Sequence, residues 1–122
     1  MRKGKREPVR EDRIDNEVIV DANGSEEQVM SWYYYLDDKI RFPFQARCIA
    51  TNAVSPLHKG EIVQVQGMAS EEACSGGMMV LIRWQGRTMG VPLAQLTGVG
   101  VDESTAEAIG DWRYWVAQGY CF

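Results

Sequence analysis

The stretch SEEQVMSWYYYLDDKIRFPF, residues 25–44, decides the fold because it changes from a helical to an extended pattern. Ser25, followed three residues later by Gln28, forms a capping-box pattern, which is typical of a helix start. Pro43 imposes extended geometry on the residue before it and stops the helix. The apolar residues between these signals recur at helical spacing: Val29, Trp32, Tyr33, Leu36 and Ile40. The pattern predicts an amphipathic helix over residues 25–41.

A β-rich region follows this helix, between residues 44 and 101. Its strand candidates include QARCIAT, EIVQVQGM and MMVLIRWQGRTMGVPLAQL, and the last of these predicts a hairpin folded at Gln85-Gly86. Several short strands separated by turn signals favour a small antiparallel barrel, and an SH3-like barrel fits the lengths. Upstream of the helix, residues 17–20 (EVIV) predict one further short strand.

A second amphipathic helix is predicted over residues 103–118, in the stretch ESTAEAIGDWRYWVAQ. Either Asp102 or Ser104 can cap it. Its apolar stripe consists of Ile109, Trp112 and Val116. The predicted fold class is therefore α+β: a small antiparallel SH3-like β-barrel flanked by an N-terminal and a C-terminal amphipathic helix.

Charge divides the 122-residue chain into two parts. Residues 1–13 hold six of the 13 Lys and Arg but only three of the 17 Asp and Glu, which leaves seven bases and 14 acids, a net charge of -7, in residues 14–122. We expect a disordered basic tail over residues 1–13 and a single acidic domain over residues 14–122. The acidic domain lacks the basic footprint that nucleic-acid binding requires.

The sequence shows neither a membrane span nor an apolar leader, so we expect a cytoplasmic protein with no membrane partner. Its three cysteines, Cys48, Cys74 and Cys121, are widely spaced and are expected to be free thiols. With one histidine and no cysteine pair, the chain lacks the clusters that bind zinc, copper or iron. Carboxylate oxygens remain as the candidate functional groups.

Two groups of carboxylates are placed where they are locally unfavourable. Asp37 and Asp38 fall in the last turn of the first predicted helix, where the helix dipole disfavours negative charge. Glu103, Glu107 and Asp111 recur every four residues along one ridge of the second helix, where like charges repel. If the two helices pack near each other, these acids converge.

A hard divalent cation would neutralise the unfavourable negative charge of both groups. Ca²⁺ takes six to eight oxygen ligands, and a helix C-terminus offers free carbonyl oxygens beside its carboxylates. Mg²⁺ is the competing ion, although it demands a tighter octahedron. The alternative is that these acids form the solvated face of an acidic protein.

The stretch DANGSEE, residues 21–27, begins like an EF-hand loop, with oxygen-bearing side chains at Asp21, Asn23 and Ser25. Its sixth position is Glu26 instead of glycine, and its twelfth is Trp32 instead of a bidentate glutamate. The EF-hand hypothesis therefore fails, and Asp21 remains only a reserve oxygen ligand.

Four segments together resemble a known family: IVDANGSEEQVMSWYYYLDDKIRFPFQARC, SPLHKGEIVQVQGMA, IRWQGRTMGVPLAQL and AIGDWRYWVAQGY. They are similar to the small acidic calcium-binding proteins of bacteria typified by the cyanobacterial heterocyst calcium-binding protein. The resemblance runs from about residue 13 to residue 122. It implies a barrel-plus-helices domain that binds Ca²⁺ without EF-hands and acts as a cytoplasmic calcium buffer or sensor.

The resemblance also implies a site between the barrel and the C-terminal helix region. With it, we predict a non-enzymatic protein whose Ca²⁺ ligands are Asp37, Asp38, Asp102, Glu103, Glu107 and Asp111. Asp102 and Glu103 have an alternative role as cap and dipole partners of the second helix. The family pattern often has an acid where this chain has Gly110, so we expect weaker binding than in more acidic relatives.

The alternative function is an SH3-like protein-interaction module whose aromatic residues or acidic face bind a protein partner, without physiological metal. The two functions differ in their response to calcium, since only a Ca²⁺-binding protein is stabilised by the ion.

Overall fold

Three α-helices and a five-stranded antiparallel sheet form the fold in the computed structural model, which describes residues 6–120 and residue 122. The helices are α1 (Pro8–Arg13), α2 (Ser25–Lys39) and α3 (Glu103–Ala117). The strands are β1 (Phe44–Cys48), β2 (Ile62–Met68), β3 (Met79–Trp84), β4 (Arg87–Pro92) and β5 (Leu96–Val99). The predicted α+β class is confirmed.

The strand order in the sheet is β4-β3-β2-β1-β5, and every neighbouring pair is antiparallel. Burial alternates strictly along β1, as expected of a sheet that packs one face on a core. The β3–β4 hairpin folds at Gln85 and Gly86, whose φ angles of 51° and 75° are those of a two-residue hairpin turn. The predicted hairpin is therefore confirmed.

The sheet is not closed into the predicted SH3-like barrel. β4 and β5 lie at opposite edges of the sheet and form no ladder with each other. The short 3₁₀ turn Leu93–Gln95 between them carries the chain from one edge to the other. Each edge strand pairs on one side only, so the arrangement is an open five-stranded sheet.

Helix α2 begins at Ser25 and ends at Lys39, where the sequence predicted residues 25–41. The residue at its N-cap is Gly24, and no side chain caps the helix, so the predicted capping box of Ser25 is wrong. The helix ends because Ile40 takes an extended conformation, φ -84° and ψ 129°. This turns the chain toward β1.

The core lies between one face of the sheet and the helices α2 and α3. Trp32 of α2 is fully buried, and its ring contacts those of Trp112 and Trp115 of α3 at centroid distances of 5.1 and 5.5 Å. These rings pack α2 against α3. Of the apolar stripe predicted for α3, Ile109 and Trp112 are buried, but Val116 is 38% exposed. None of the described helices has both the length and the apolar character needed to cross a bilayer.

The N-terminal region differs from the sequence-based expectations. Residues 8–13 form helix α1, not part of a disordered tail, and residues 1–5 lie outside the described part of the chain. The strand predicted over residues 17–20 is also wrong, because a π-helical turn covers Ile14–Val18. Of the apolar residues in EVIV, Val18 is buried in the core, whereas Val20 is 58% exposed.

Cys48 and Cys74 are buried free thiols, as predicted. Cys121 lies outside the described residues.

Candidate functional site

The C-terminal end of α2 lies against the N-terminal end of α3. Ser104 Oγ donates a hydrogen bond to the Lys39 carbonyl at 3.3 Å, and the Arg41 backbone N–H donates to Thr105 Oγ1 at 2.9 Å. The acids at the end of one helix and the start of the other therefore share one end of the molecule. We call this region the α2–α3 junction.

Four of the predicted ligands lie at the α2–α3 junction: Asp37, Asp38, Asp102 and Glu103. All four are solvent-exposed. Asp37 and Asp38 lie at the end of α2 where the dipole is negative, and neither carboxylate forms an ion pair or hydrogen bond with the described residues. Their oxygens are available to a cation.

Asp102 is the N-cap of α3, as one of the two sequence-based alternatives predicted. Its carboxylate accepts from the Thr105 backbone N–H at 3.2 Å and from Thr105 Oγ1 at 2.5 Å. The hydrogen bonds from Thr105 lower the pKa of Asp102, and the nearby charge of Arg41 lowers it further. The Asp102 carboxylate is therefore held in its charged form but is committed to the helix cap.

The other two predicted ligands, Glu107 and Asp111, lie further along α3 and contact a cation of the chain itself. Arg13 donates from Nε to Asp111 Oδ2 at 2.9 Å and from Nη2 to Oδ1 at 2.7 Å. Tyr35 donates its hydroxyl to Asp111 Oδ2 at 2.8 Å, and Arg10 Nε lies 3.6 Å from Oδ1. Glu107 Oε1 lies 3.5 Å from Arg13 Nε.

Asp111 is fully buried, whereas the Glu107 side chain is 46% exposed. The hydrogen bond to Asp111 raises the pKa of Arg13, although burial opposes this. Burial and the same carboxylate also raise the pKa of Tyr35. Both oxygens of the Asp111 carboxylate therefore accept hydrogen bonds, from the Arg13 guanidinium and the Tyr35 hydroxyl. A buried carboxylate requires such partners.

The structure thus separates the six predicted ligands into a junction group and an α3 pair. Among the described residues, no three His, Cys, Asp or Glu side chains are arranged to hold a metal ion. Asp37, Asp38 and Glu103 fit Ca²⁺ in chemistry, since they are exposed oxygen donors. Asp21, the reserve candidate, is exposed in the turn before α2.

Sequence reasoning missed Arg10 and Arg13, because both fell within the expected disordered tail. One signal was present: PVREDR has proline at a helix N1 position, and its two arginines are three residues apart on one helical face. Sequence reasoning also missed the role of Gly110, where an added Cβ would lie 2.3 Å from Arg10 Nη1. That position on α3 must stay small to seat the arginine.

Residues 12–116 match the CcbP family, which is described as calcium binding. The chain belongs to the CcbP family of calcium-binding proteins. The crystal structure of Anabaena CcbP is similar to it, with 39% sequence identity, a TM-score of 0.87 and 100% of each chain covered. A calcium-binding protein in the calcium-binding form is 38% identical, with a TM-score of 0.86 and the same full coverage. None of the curated proteins matches this chain.

The predicted family is therefore confirmed. The CcbP match begins within α1 and ends within α3, so it includes Arg13 together with both groups of acids. The match to the Anabaena protein extends over the whole chain, which shows that the α1 segment lies within the region shared with that CcbP structure.

Replacement of Tyr35 by phenylalanine is expected to lower the free energy of unfolding of this CcbP-family chain by about 1.5 kcal/mol. The substitution removes one donor to Asp111 but leaves the bonds from Arg13. Chemical denaturation of the two proteins measures the difference. Tyr34→Phe is the matched control because Tyr34 is exposed and its hydroxyl, within the part of the chain that the structure describes, hydrogen-bonds only Glu71. Equal stability changes in both variants would contradict a specific role for Tyr35.

Proposed function

We propose that this protein binds Ca²⁺ through carboxylate ligands and acts as a cytoplasmic calcium buffer or sensor. The observation that carries the proposal is the full-length similarity to a protein in the calcium-binding form, 38% identical over the whole of both chains. Membership of a calcium-binding family agrees with it. The function needs no catalytic residues, and we propose none.

The exposed acids of the α2–α3 junction support this proposal on physical grounds. Asp37 and Asp38 add negative charge to a helix end that is already negative. Asp102 and Glu103 approach from the start of α3. A hard cation that prefers several flexible oxygen ligands fits this environment, and Ca²⁺ tolerates irregular geometry better than Mg²⁺ does.

Glu107 and Asp111 are also proposed as Ca²⁺ ligands, but only if they lose their contacts with Arg13. Both contact Arg13, so they can bind a metal ion only when that guanidinium leaves. Asp37 and Asp38 carry no such condition, because neither contacts a basic residue among those described. We therefore propose that the first cation contacts are made by Asp37 and Asp38.

Calcium is expected to raise the melting temperature, and magnesium at equal concentration is expected to raise it less. A ligand at one hundred times its dissociation constant stabilises the native state by about 2.7 kcal/mol. For a domain of this size that corresponds to a shift on the order of 8 °C. Differential scanning calorimetry with CaCl₂, MgCl₂ and a chelator measures the shift. An unchanged melting temperature in calcium would overturn the proposal and favour the protein-interaction module instead.

A separate pair of variants tests whether Ca²⁺ binds at the α2–α3 junction. Asp38→Asn should weaken Ca²⁺ binding in calorimetric titration, whereas Glu26→Gln removes one charge from the opposite end of the same helix and should leave it almost unchanged. Equal losses in the two variants would show that net charge, not the junction, governs affinity.

A further inference from the structure

A cavity of about 490 Å³ lies over one face of helix α3, beside α1. Its volume falls within the range of about 300 to 1,000 Å³ that is typical of small-molecule sites. Ala106, Gly110 and Ala117 line it from α3, at spacings of four and seven residues that place them on one side of the helix. We call this space the α1–α3 cavity. The small side chains on α3 keep it open.

Arg113 lines this cavity without an acidic partner. It forms neither an ion pair nor a hydrogen bond with any residue that the structure describes, although its side chain is only partly exposed. Burial and the nearby charge of Arg10 lower the pKa of Arg113. Acids outnumber bases in residues 14–122, so a partly buried base with no acid beside it is unexpected here.

Arg10 brings a second guanidinium to the same cavity. The end of its side chain rests on the backbone of Gly110, where an added Cβ would lie 2.3 Å from Nη1 and 3.1 Å from Cζ. Glu7 Oε1 lies 3.5 Å and Asp111 Oδ1 lies 3.6 Å from Arg10 Nε, and both distances are longer than a charged hydrogen bond. The Arg10 guanidinium donates no hydrogen bond to a described residue, so its donors are available to a ligand.

Two neighbouring guanidinium groups with unused donors suit a doubly charged oxyanion. Arginine donates parallel hydrogen bonds to phosphate or carboxylate oxygens. A phosphate group carries a charge of about -1.5 to -2 and three acceptor oxygens, so it can neutralise two guanidinium groups, whereas one carboxylate neutralises only one.

We propose that the α1–α3 cavity binds a phosphate group, with Arg10 and Arg113 as the donors to its oxygens. Ala106 and Ala117 leave room beside the arginines for the uncharged part of a small phosphate monoester. None of the six acids proposed as Ca²⁺ ligands lines this cavity, so the proposal does not depend on calcium binding.

Calorimetric titration of the full-length chain in calcium-free buffer tests the site. Inorganic phosphate and glycerol phosphate should both bind, and acetate at the same ionic strength should bind far more weakly. Tighter binding of the ester would identify a phosphate monoester as the ligand, and equal affinities would identify free phosphate. Absence of phosphate binding, or phosphate binding no tighter than that of acetate, would overturn the proposal.

Arg113→Gln should weaken phosphate binding by about tenfold or more, because it removes a charged hydrogen-bond donor. Arg87→Gln, at the exposed β3–β4 hairpin, makes the same change in net charge and should weaken it far less. Equal losses in the two variants would show that net charge, not this cavity, attracts the anion. Arg113→Gln removes a cation that has no described partner, so its melting temperature without phosphate should not fall.

Two further variants change the cavity in opposite directions. Gly110→Ala should weaken phosphate binding, because the new methyl group displaces the end of Arg10. Glu7→Gln should tighten it by a few-fold, because Glu7 is the one acid that lines the cavity among the described residues. Glu26→Gln, at the start of α2, controls for net charge. Weaker binding in Glu7→Gln, or unchanged binding in Gly110→Ala, would contradict the assignment.

Discussion

Trp32→Ala is expected to lower the free energy of unfolding by about 3 to 5 kcal/mol, the largest loss that we predict for a single apolar side chain here. Trp32 is fully buried and contacts Trp112 edge-on, with an angle of 72° between the ring planes. It also meets Trp115 and Tyr35. Alanine leaves a cavity where α2, α3 and the sheet meet, and chemical denaturation with tryptophan fluorescence measures the cost.

Two variants make this prediction specific. Tyr34→Ala, on the exposed face of the same helix, should leave the melting temperature almost unchanged. Trp32→Phe should lose much less than Trp32→Ala, because it keeps an aromatic ring and because the indole N–H has no hydrogen-bond partner among the described residues. If Trp32→Phe lost as much stability as Trp32→Ala, the cavity left by the missing ring could not be the cause of the loss.

Asp111→Asn is expected to lower the free energy of unfolding by about 3 kcal/mol. The side chain is fully buried, and its charge balances Arg13, whose side chain keeps only 17% of its exposure. Asparagine retains the shape but removes the charge that is bonded directly to the guanidinium, which leaves only the half-exposed Glu107 carboxylate 3.5 Å from Arg13 Nε. Urea denaturation at neutral pH measures the loss.

Glu107→Gln is the matched control, since it removes a second acid that contacts the same arginine. Its carboxylate is 46% exposed and 3.5 Å from Arg13 Nε, so we expect a loss of about 0.5 kcal/mol. Combining Asp111→Asn with Arg13→Gln should cost less than the two single changes added together, because each single change leaves a charge without its partner. Strict additivity would contradict a direct ion pair.

Local patterns account for the parts of the fold that the sequence predicted. The helical spacing around Trp32 and Leu36 located α2, and the Gln85-Gly86 pair located the β3–β4 turn. Each depends on neighbours within one or two turns of chain. The capping box at Ser25 was also a local pattern, yet it failed because Gly24, which has no side chain, takes the N-cap position and Ser25 is already the first residue of the helix.

The sequence predicted carboxylate ligands for the candidate site but not how these acids are arranged. Misplaced charge at the end of α2 and along α3 indicated carboxylate chemistry, and the family similarity agrees with calcium. Which acids lie together depends on how the ends of α2 and α3 pack, and no spacing in the sequence states that Lys39 meets Ser104. Helix α3 itself supplies no basic residue on the ridge of Glu107 and Asp111, so spacing within the helix could not indicate their partner Arg13.

By itself, the sequence determined two amphipathic helices, a β-rich middle and the net negative charge of residues 14–122, since periodicity, turn residues and charge are properties of short segments. The tertiary structure alone decided that the sheet stays open, that residues 8–13 form a helix, and that Arg13 lies on Asp111. The physical reason is that a buried carboxylate needs a counter-charge, and the one that this chain uses lies 98 residues away along the sequence.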